Sequence, residues 1–209
     1  MRKDRVLFSV LGGTERQGWL NPPLTYELIK LSHNQSFQVI IEMMIDTVLH
    51  DHARNMVLAS ARKHNADWCV MLDNDVCPRV DLLDVISHLA PDQLVVGVPY
   101  GIKLDGQLRP AACGQYETCG QFVRVDRVGA GCLIIKADVW RKLKWPLFRW
   151  QPKEDELLTQ GISEDVHFCN RLKEAGISLW AHRQLAAHFR TTDLTEILSQ
   201  QMTASAVPV

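Results

Sequence analysis

Trp68-Cys69-Val70-Met71-Leu72-Asp73-Asn74-Asp75 is the stretch on which the reading of the chain turns. Its first five residues are apolar and bounded by polar neighbours, the pattern of a short buried strand. The run then ends in two carboxylates spaced by one residue. At the C-terminal end of a buried parallel strand, Asp73 and Asp75 fall on the rim where open α/β sheets bind ligands. Two carboxylates there repel each other unless a cation lies between them. Oxygen ligands at an open rim suit Mg²⁺ or Mn²⁺, typically bridging to substrate phosphates. The competing reading is a plain turn, Asp-Asn-Asp followed by Pro78.

On the N-terminal side, Val6-Leu7-Phe8-Ser9-Val10-Leu11 reads as a first strand ending at Gly12-Gly13. Pro22-Pro23 precede a helical segment over 24–32, and 37–43 reads as a second strand with Glu42 near its end. Residues 51–63 carry a helical pattern, with Ala53, Val57 and Ala61 on one face and Arg54, Arg62 and Lys63 elsewhere. On the C-terminal side, 80–89 is a helix candidate after Pro78, and 94–98 is a fourth strand. This βαβαβαβ alternation predicts an α/β fold with a mostly parallel central sheet flanked by helices.

From about residue 101 the pattern changes to short β-like pieces, the mark of a small second β element. Phe122-Val123-Arg124-Val125 alternates like a half-buried strand. Gly129-Ala130-Gly131 leads into the buried strand Cys132-Leu133-Ile134-Ile135, and a short helix follows over 137–143. Residues 146–161 read as a loop. Ser163 is a suitable N-cap for a helix that starts with Glu164-Asp165 and stops at Gly176. A last strand spans 177–181, and His188 follows it. The tail from 193 reads as frayed.

Composition is that of one globular domain with a sizeable core: 209 residues, 46% hydrophobic and 22% charged. A net charge of −1 gives no global field for nucleic acid or an anionic membrane. No stretch reads as a signal peptide or a membrane span. The six cysteines include no Cys-x-x-Cys pair, so a reduced, cytoplasmic protein without structural zinc is expected.

Four features recur in one order: the Gly-Gly strand end, the strand with Asp73-x-Asp75, Gly129-Ala130-Gly131 before a strand, and Ser163-Glu164-Asp165-Val166-His167-Phe168-Cys169 on a helix. This order resembles the GT-A fold glycosyltransferases, most closely the family 2-like group. Ala53-Arg54-Asn55 followed by Ala66-Asp67 and the strand to Asp75 looks like that group's "aRN … aD-x-apolar-D-x-D" block. Val128 to Lys136 is similar to its Gly-rich acceptor-side strand. Glu164-Asp165 through Gly176 looks like its "E-D-x-x-F-x-x-R" helix, with Arg171 on the expected position. The resemblance covers roughly residues 5–190.

The resemblance implies a single domain with a donor half over about 1–99, an acceptor half over about 100–192 and a tail over 193–209. It implies a nucleotide-diphosphate sugar as donor, with Mn²⁺ or Mg²⁺ stabilising the departing diphosphate. Asp75 would ligate the metal, Asp73 would contact metal or ribose, and His188 would be the third protein ligand. Asp165 would be the general base of an inverting transfer and Glu164 would orient the acceptor. Gly12, Gly13, Glu42, Arg54, Gly129 and Gly131 would border the donor: glycines for close approach, Glu42 for the base, Arg54 for the phosphates. Trp140, Trp145, Phe148 and Trp150 cluster on the acceptor side, where aromatics stack on sugars or pack in the core.

The acceptor is expected to be a glycan or a hydroxylated, phage-type DNA base, in a bacterial or phage-infected cell. The Gln/Arg-x-x-Arg-Trp motif of processive synthases is absent, which points to single transfers. Two alternatives stay open: a nucleotidyltransferase of related architecture, which needs a basic phosphate loop after the first strand, and a non-catalytic sugar-nucleotide-binding module.

Overall fold

A computed structural model describes residues 2–12, 22–44, 49–104, 107–114, 117–152 and 161–188. In chain order these form β1 (Arg5–Leu11), α1 (Pro22–Ser32), β2 (Gln38–Met44), α2 (His50–Lys63), β3 (Trp68–Asp73), β4 (Val76–Cys77), α3 (Leu82–Ser87) and β5 (Val95–Gly97). Short strands follow: β6 (Gly101–Leu104), β7 (Gln107–Pro110), β8 (Ala112–Cys113), β9 (Thr118–Cys119), β10 (Phe122–Val125) and β11 (Arg127–Val128). The described chain continues with β12 (Cys132–Lys136), α4 (Ala137–Lys142), β13 (Gln151–Pro152), β14 (Gly161–Ile162), α5 (Glu164–Glu174), β15 (Leu179–His182) and β16 (Ala187–His188).

Eight strands join in one sheet in the order β2-β1-β3-β12-β5-β15-β10-β9. β12 and β10 run against the other six. The fold is therefore α/β with a mostly parallel central sheet, as the alternation predicts. The direction of β12 is the addition: it lies antiparallel between β3 and β5, pairing Cys132 with Leu72 and Leu133 with Gly97. Its N-terminal start thus lies at the same rim as the C-terminal end of β3, and Asp73 N–H donates to Gly131 O at 2.8 Å.

Strand periodicity sorts the core into two layers. Val6, Phe8 and Val10 of β1, Val70 and Leu72 of β3 and Ile134 of β12 pack on α1 and α3 through Leu24, Leu28, Leu83 and Ile86. Leu7, Cys69, Met71, Leu133 and Ile135 face the other side, against Val57 and Leu58 of α2 and Phe168 and Leu172 of α5. Two further residues along from Met71, the same alternation carries Asp73 to the α2–α5 side.

Helix α3 is capped by Asp81, whose carboxylate accepts from Leu83 and Asp84 N–H. Ser163 holds the N-cap position of α5, but its hydroxyl donates to the Asp165 carboxylate and does not accept from a helix N–H. Gly176 adopts φ +67° just beyond α5, the left-handed stop expected of a glycine there. The loop read over 146–161 contains the strand pair β13–β14. The tail from 193 lies outside the described residues. Among those residues, no helix is long and apolar enough to cross a membrane.

Candidate functional site

Asp73 ends β3 and turns onto Arg54, whose Nη2 is 3.2 and 3.3 Å from its two carboxylate oxygens. The same guanidinium reaches Glu164 at the start of α5, Nε to Oε1 3.4 Å, and donates from Nη1 to Ala130 O at 2.9 Å. Three segments distant in sequence are thereby tied to one cation. Arg54 is 4% exposed and belongs to the buried side of α2 with Ala53, Val57, Leu58 and Ala61, not to a separate polar face. Burial works against its charge, but Asp73 and then Glu164 outweigh it, and its pKa lies above the ordinary arginine value. Arg54 is therefore not a surface arginine, and all three guanidinium nitrogens are engaged within the protein.

The next residue of the same helix does parallel work. Asn55 Nδ2 donates to Phe148 O at 2.7 Å, and its Oδ1 accepts from Leu147 N–H at 2.9 Å and Phe148 N–H at 3.2 Å. Asn55 thus pins the segment at Leu147 and Phe148 through its backbone, while the Phe148 ring stacks on Phe168 of α5 with centroids 4.4 Å apart. Sequence reasoning gave Asn55 no role, although it stands in the quoted Ala53-Arg54-Asn55 block.

Asp75 sits beyond the Asn74 turn and faces a different partner. His188 Nε2 is 3.6 Å from Asp75 Oδ2. The two-residue pairing of β16 with β4 produces this contact, because it sets His188 opposite Val76, the neighbour of Asp75. A carboxylate oxygen and an imidazole nitrogen are donors that a divalent transition ion such as Mn²⁺ accepts. The expected three-ligand set does not assemble: Asp73 is committed to Arg54, and no group of three His, Cys, Asp or Glu is arranged for a metal among the described residues.

Tyr100 occupies the floor between these groups. Its ring lies 5.0 Å from that of His188, tilted by 38°. It also explains Gly129 and Gly131. A methyl group on Gly131 would come 2.6 Å from Tyr100 Cε1, and one on Gly129 would come 2.9 Å from the phenol oxygen. Both glycines make room for this tyrosine at the strand start. Burial pushes the Tyr100 phenol far above its ordinary value, and the charge of Asp73 adds to the effect. The group is a neutral O–H donor at physiological pH.

Asp165 follows Glu164 on the first turn of α5, and its Oδ1 accepts from Ser163 Oγ and from Val166 N–H. Gly12, at the end of β1, donates its N–H to Met44 O, and among the described residues a methyl group there would meet Asn74 at an ordinary 3.6 Å. Glu42 lies level with Ser9 and Met71, two residues below the rim. One of its oxygens accepts from Ser60 Oγ at 2.7 Å and lies 3.0 Å from His64 Nε2. Gly13 lies outside the described residues. Of the four acceptor-side aromatics, Trp140 and Phe148 are buried and Trp145 packs on the core, whereas Trp150 is 44% exposed. Trp150 rests on Gly161, where a methyl group would enter its indole ring at 2.5 Å. The β13–β14 register, extended one step, sets Trp150 opposite Ser163.

No family model and no curated protein matches the chain. Among solved structures it is similar to A197 from STIV, at 22% identity and a TM-score of 0.62, over 88% of this chain and 85% of that one. Weaker likenesses include a glycosyltransferase involved in the glycosylation of the major capsid of PBCV-1 (12% identity, TM-score 0.36, covering 64% and 62%). Another is CMP:2-keto-3-deoxy-manno-octonic acid synthetase complexed with CTP (12% identity, TM-score 0.49, covering 97% and 99%). At these identities the likeness is one of fold, and the A197 match carries it: this chain shares the overall fold of A197 from STIV.

Proposed function

We propose that the protein is a glycosyltransferase that moves a sugar from a nucleotide-diphosphate donor to an acceptor hydroxyl with inversion. The observation that supports this reading is that Arg54 ties Asp73, two residues before Asp75 and its partner His188, to Glu164, the neighbour of Asp165. In this reading Asp75 and His188 hold Mn²⁺ or Mg²⁺ together with the donor diphosphate. That ion, when bound, offsets the negative charge that grows on the leaving diphosphate.

The remaining work falls to the chain itself. Asp165 accepts the proton of the attacking hydroxyl. Both of its recorded bonds fall on Oδ1, so Oδ2 is the oxygen assigned to proton transfer. Glu164, fixed on Arg54, orients the acceptor. Arg54 holds Asp73 and Glu164 at a constant spacing instead of binding phosphate itself. Gly12 and Gly13 border the nucleotide, and Glu42 is assigned to the base. Trp150 offers the acceptor a flat apolar face beside the α5 start. The acceptor is a glycan or a hydroxylated DNA base.

A thermal-shift panel of UDP, GDP, CDP and dTDP sugars, each with Mn²⁺ and with EDTA, tests the reading. A ligand that binds only the native state at a hundredfold excess over Kd stabilises by about 2.7 kcal/mol. One nucleotide sugar is expected to raise Tm in Mn²⁺ and not in EDTA. A flat panel in both conditions, with purified folded protein, overturns the proposal.

A further inference from the structure

We infer that Tyr100 is a positioning residue that holds His188 against Asp75. The inference rests on the proposed role of His188 as a cation ligand.

The backbone of Tyr100 is fixed from two sides. Its carbonyl accepts from Ala111 N–H at 2.7 Å, the preceding Pro99 O accepts from Ala186 N–H at 2.8 Å, and Tyr100 bridges to Ala186 in parallel fashion. The ring packs closely over Gly129 and Gly131, within 2.9 and 2.6 Å of where their methyl groups would lie. His188 has the Tyr100 ring at 5.0 Å and the Asp75 carboxylate at 3.6 Å. His188 is the second residue of the two-residue strand β16, and the aromatic contact adds to that pairing in orienting its side chain. Two glycines spaced by one residue at the start of β12 are the sequence trace of this arrangement.

The test is a double-mutant cycle read by Mn²⁺ affinity, using electron paramagnetic resonance of the free ion, and by urea midpoint. The proteins are wild type, Y100L, H188A and Y100L/H188A, with Y100F and G131A as companions. Y100L is expected to weaken Mn²⁺ binding tenfold or more in wild type and less than twofold in the H188A background. Y100F keeps the ring and stays within twofold of wild type. G131A keeps the tyrosine but displaces its ring, and follows Y100L. Equal losses from Y100L in both backgrounds overturn the inference, because Tyr100 then acts independently of His188.

If wild type binds no Mn²⁺, or H188A binds it undiminished, the cation reading fails and the urea cycle decides the tyrosine separately. Non-additive urea midpoints for Y100L and H188A then uphold the Tyr100–His188 coupling. Additive midpoints overturn it.

Discussion

Arg54 Nη2 lies 3.2 Å from Asp73 Oδ1, so the first carboxylate of the Asp-x-Asp motif is bound to a buried cation of α2 and not directed at the rim. The motif's two acids therefore have different work. Asp73 anchors the end of β3 to α2 and α5, and Asp75 alone is presented to His188.

This relationship makes Arg54 a stability residue. Arg54→Ala leaves Asp73 and Glu164 without their cation and Ala130 O without its donor. The expected loss is about 3 kcal/mol, the low end for breaking a buried ion pair because both acids keep some solvent contact. Arg54→Lys is expected to recover only part, since one ammonium cannot span three partners in the fork geometry. Urea midpoints of the two variants check both statements.

Asp165 and Asp75 separate chemistry from binding. Asp165→Asn is expected to lower kcat by 10²–10⁴-fold, on the order of a lost general base, while metal-dependent donor binding persists. Asp75→Asn is expected to abolish the Mn²⁺-dependent thermal shift itself. A variant pair showing the reverse pattern would remove Asp165 from the role of base.

The pH dependence of stability has an identifiable source in His182. It is 3% exposed, and burial lowers its pKa below the ordinary 6.5. Its Nδ1 accepts from Gln184 N–H at 3.0 Å, so Nε2 carries the proton and donates to Gln121 Oε1 at 3.1 Å. A neutral buried imidazole binds fewer protons than its unfolded counterpart below pH 6.5. Stability is therefore full above that value and falls as pH drops through the window beneath it. Chemical denaturation at several pH values should show this slope, and His182→Gln should make it shallower. His167, also lowered chiefly by burial, contributes to what remains.

Gly97 and Val128 form a size-matched pair. A methyl group on Gly97 would lie 2.5 and 2.7 Å from the Val128 methyls. Gly97→Ala is expected to cost about 1–3 kcal/mol by overpacking. Val128→Ala in the same chain should restore part of it, giving a cycle that is clearly non-additive.

Trp150 is predicted to matter for acceptor and not for fold. Trp150→Ala should raise KM for the acceptor several-fold and leave donor-induced thermal shifts unchanged. An unchanged acceptor KM would return this indole to a purely structural place on Gly161.

Much of this could be read from residue order. β1, β2, α2, β3 and α5 follow from periodicity and stop signals, because their apolar spacing matches one layer or the other. The direction of β12 could not, since Cys132-Leu133-Ile134-Ile135 reads the same either way and only its neighbours decide. Arg54 carried a signal that was passed over: it falls in register with Val57, Leu58 and Ala61 on the buried side, where a cation requires partners. Asp75 and His188, expected from the resemblance to share a metal ion, lie 3.6 Å apart across the β4–β16 pairing. Tyr100 had no pattern of its own, and Gly129 and Gly131 announced that something large lies against them without naming it.

The reversed strand has a consequence for how the chain comes into being. β12 fills the gap between β3 and β5, yet it is synthesised well after both. Until Lys136 has left the ribosome, the nascent sheet keeps two open edges at its centre, where unpaired backbone invites wrong partners. The stretches before and after residue 99 therefore complete one sheet and are not units that can be cut apart. A fragment ending near residue 99 is expected to aggregate, and adding the remaining residues as a separate polypeptide during refolding should rescue it.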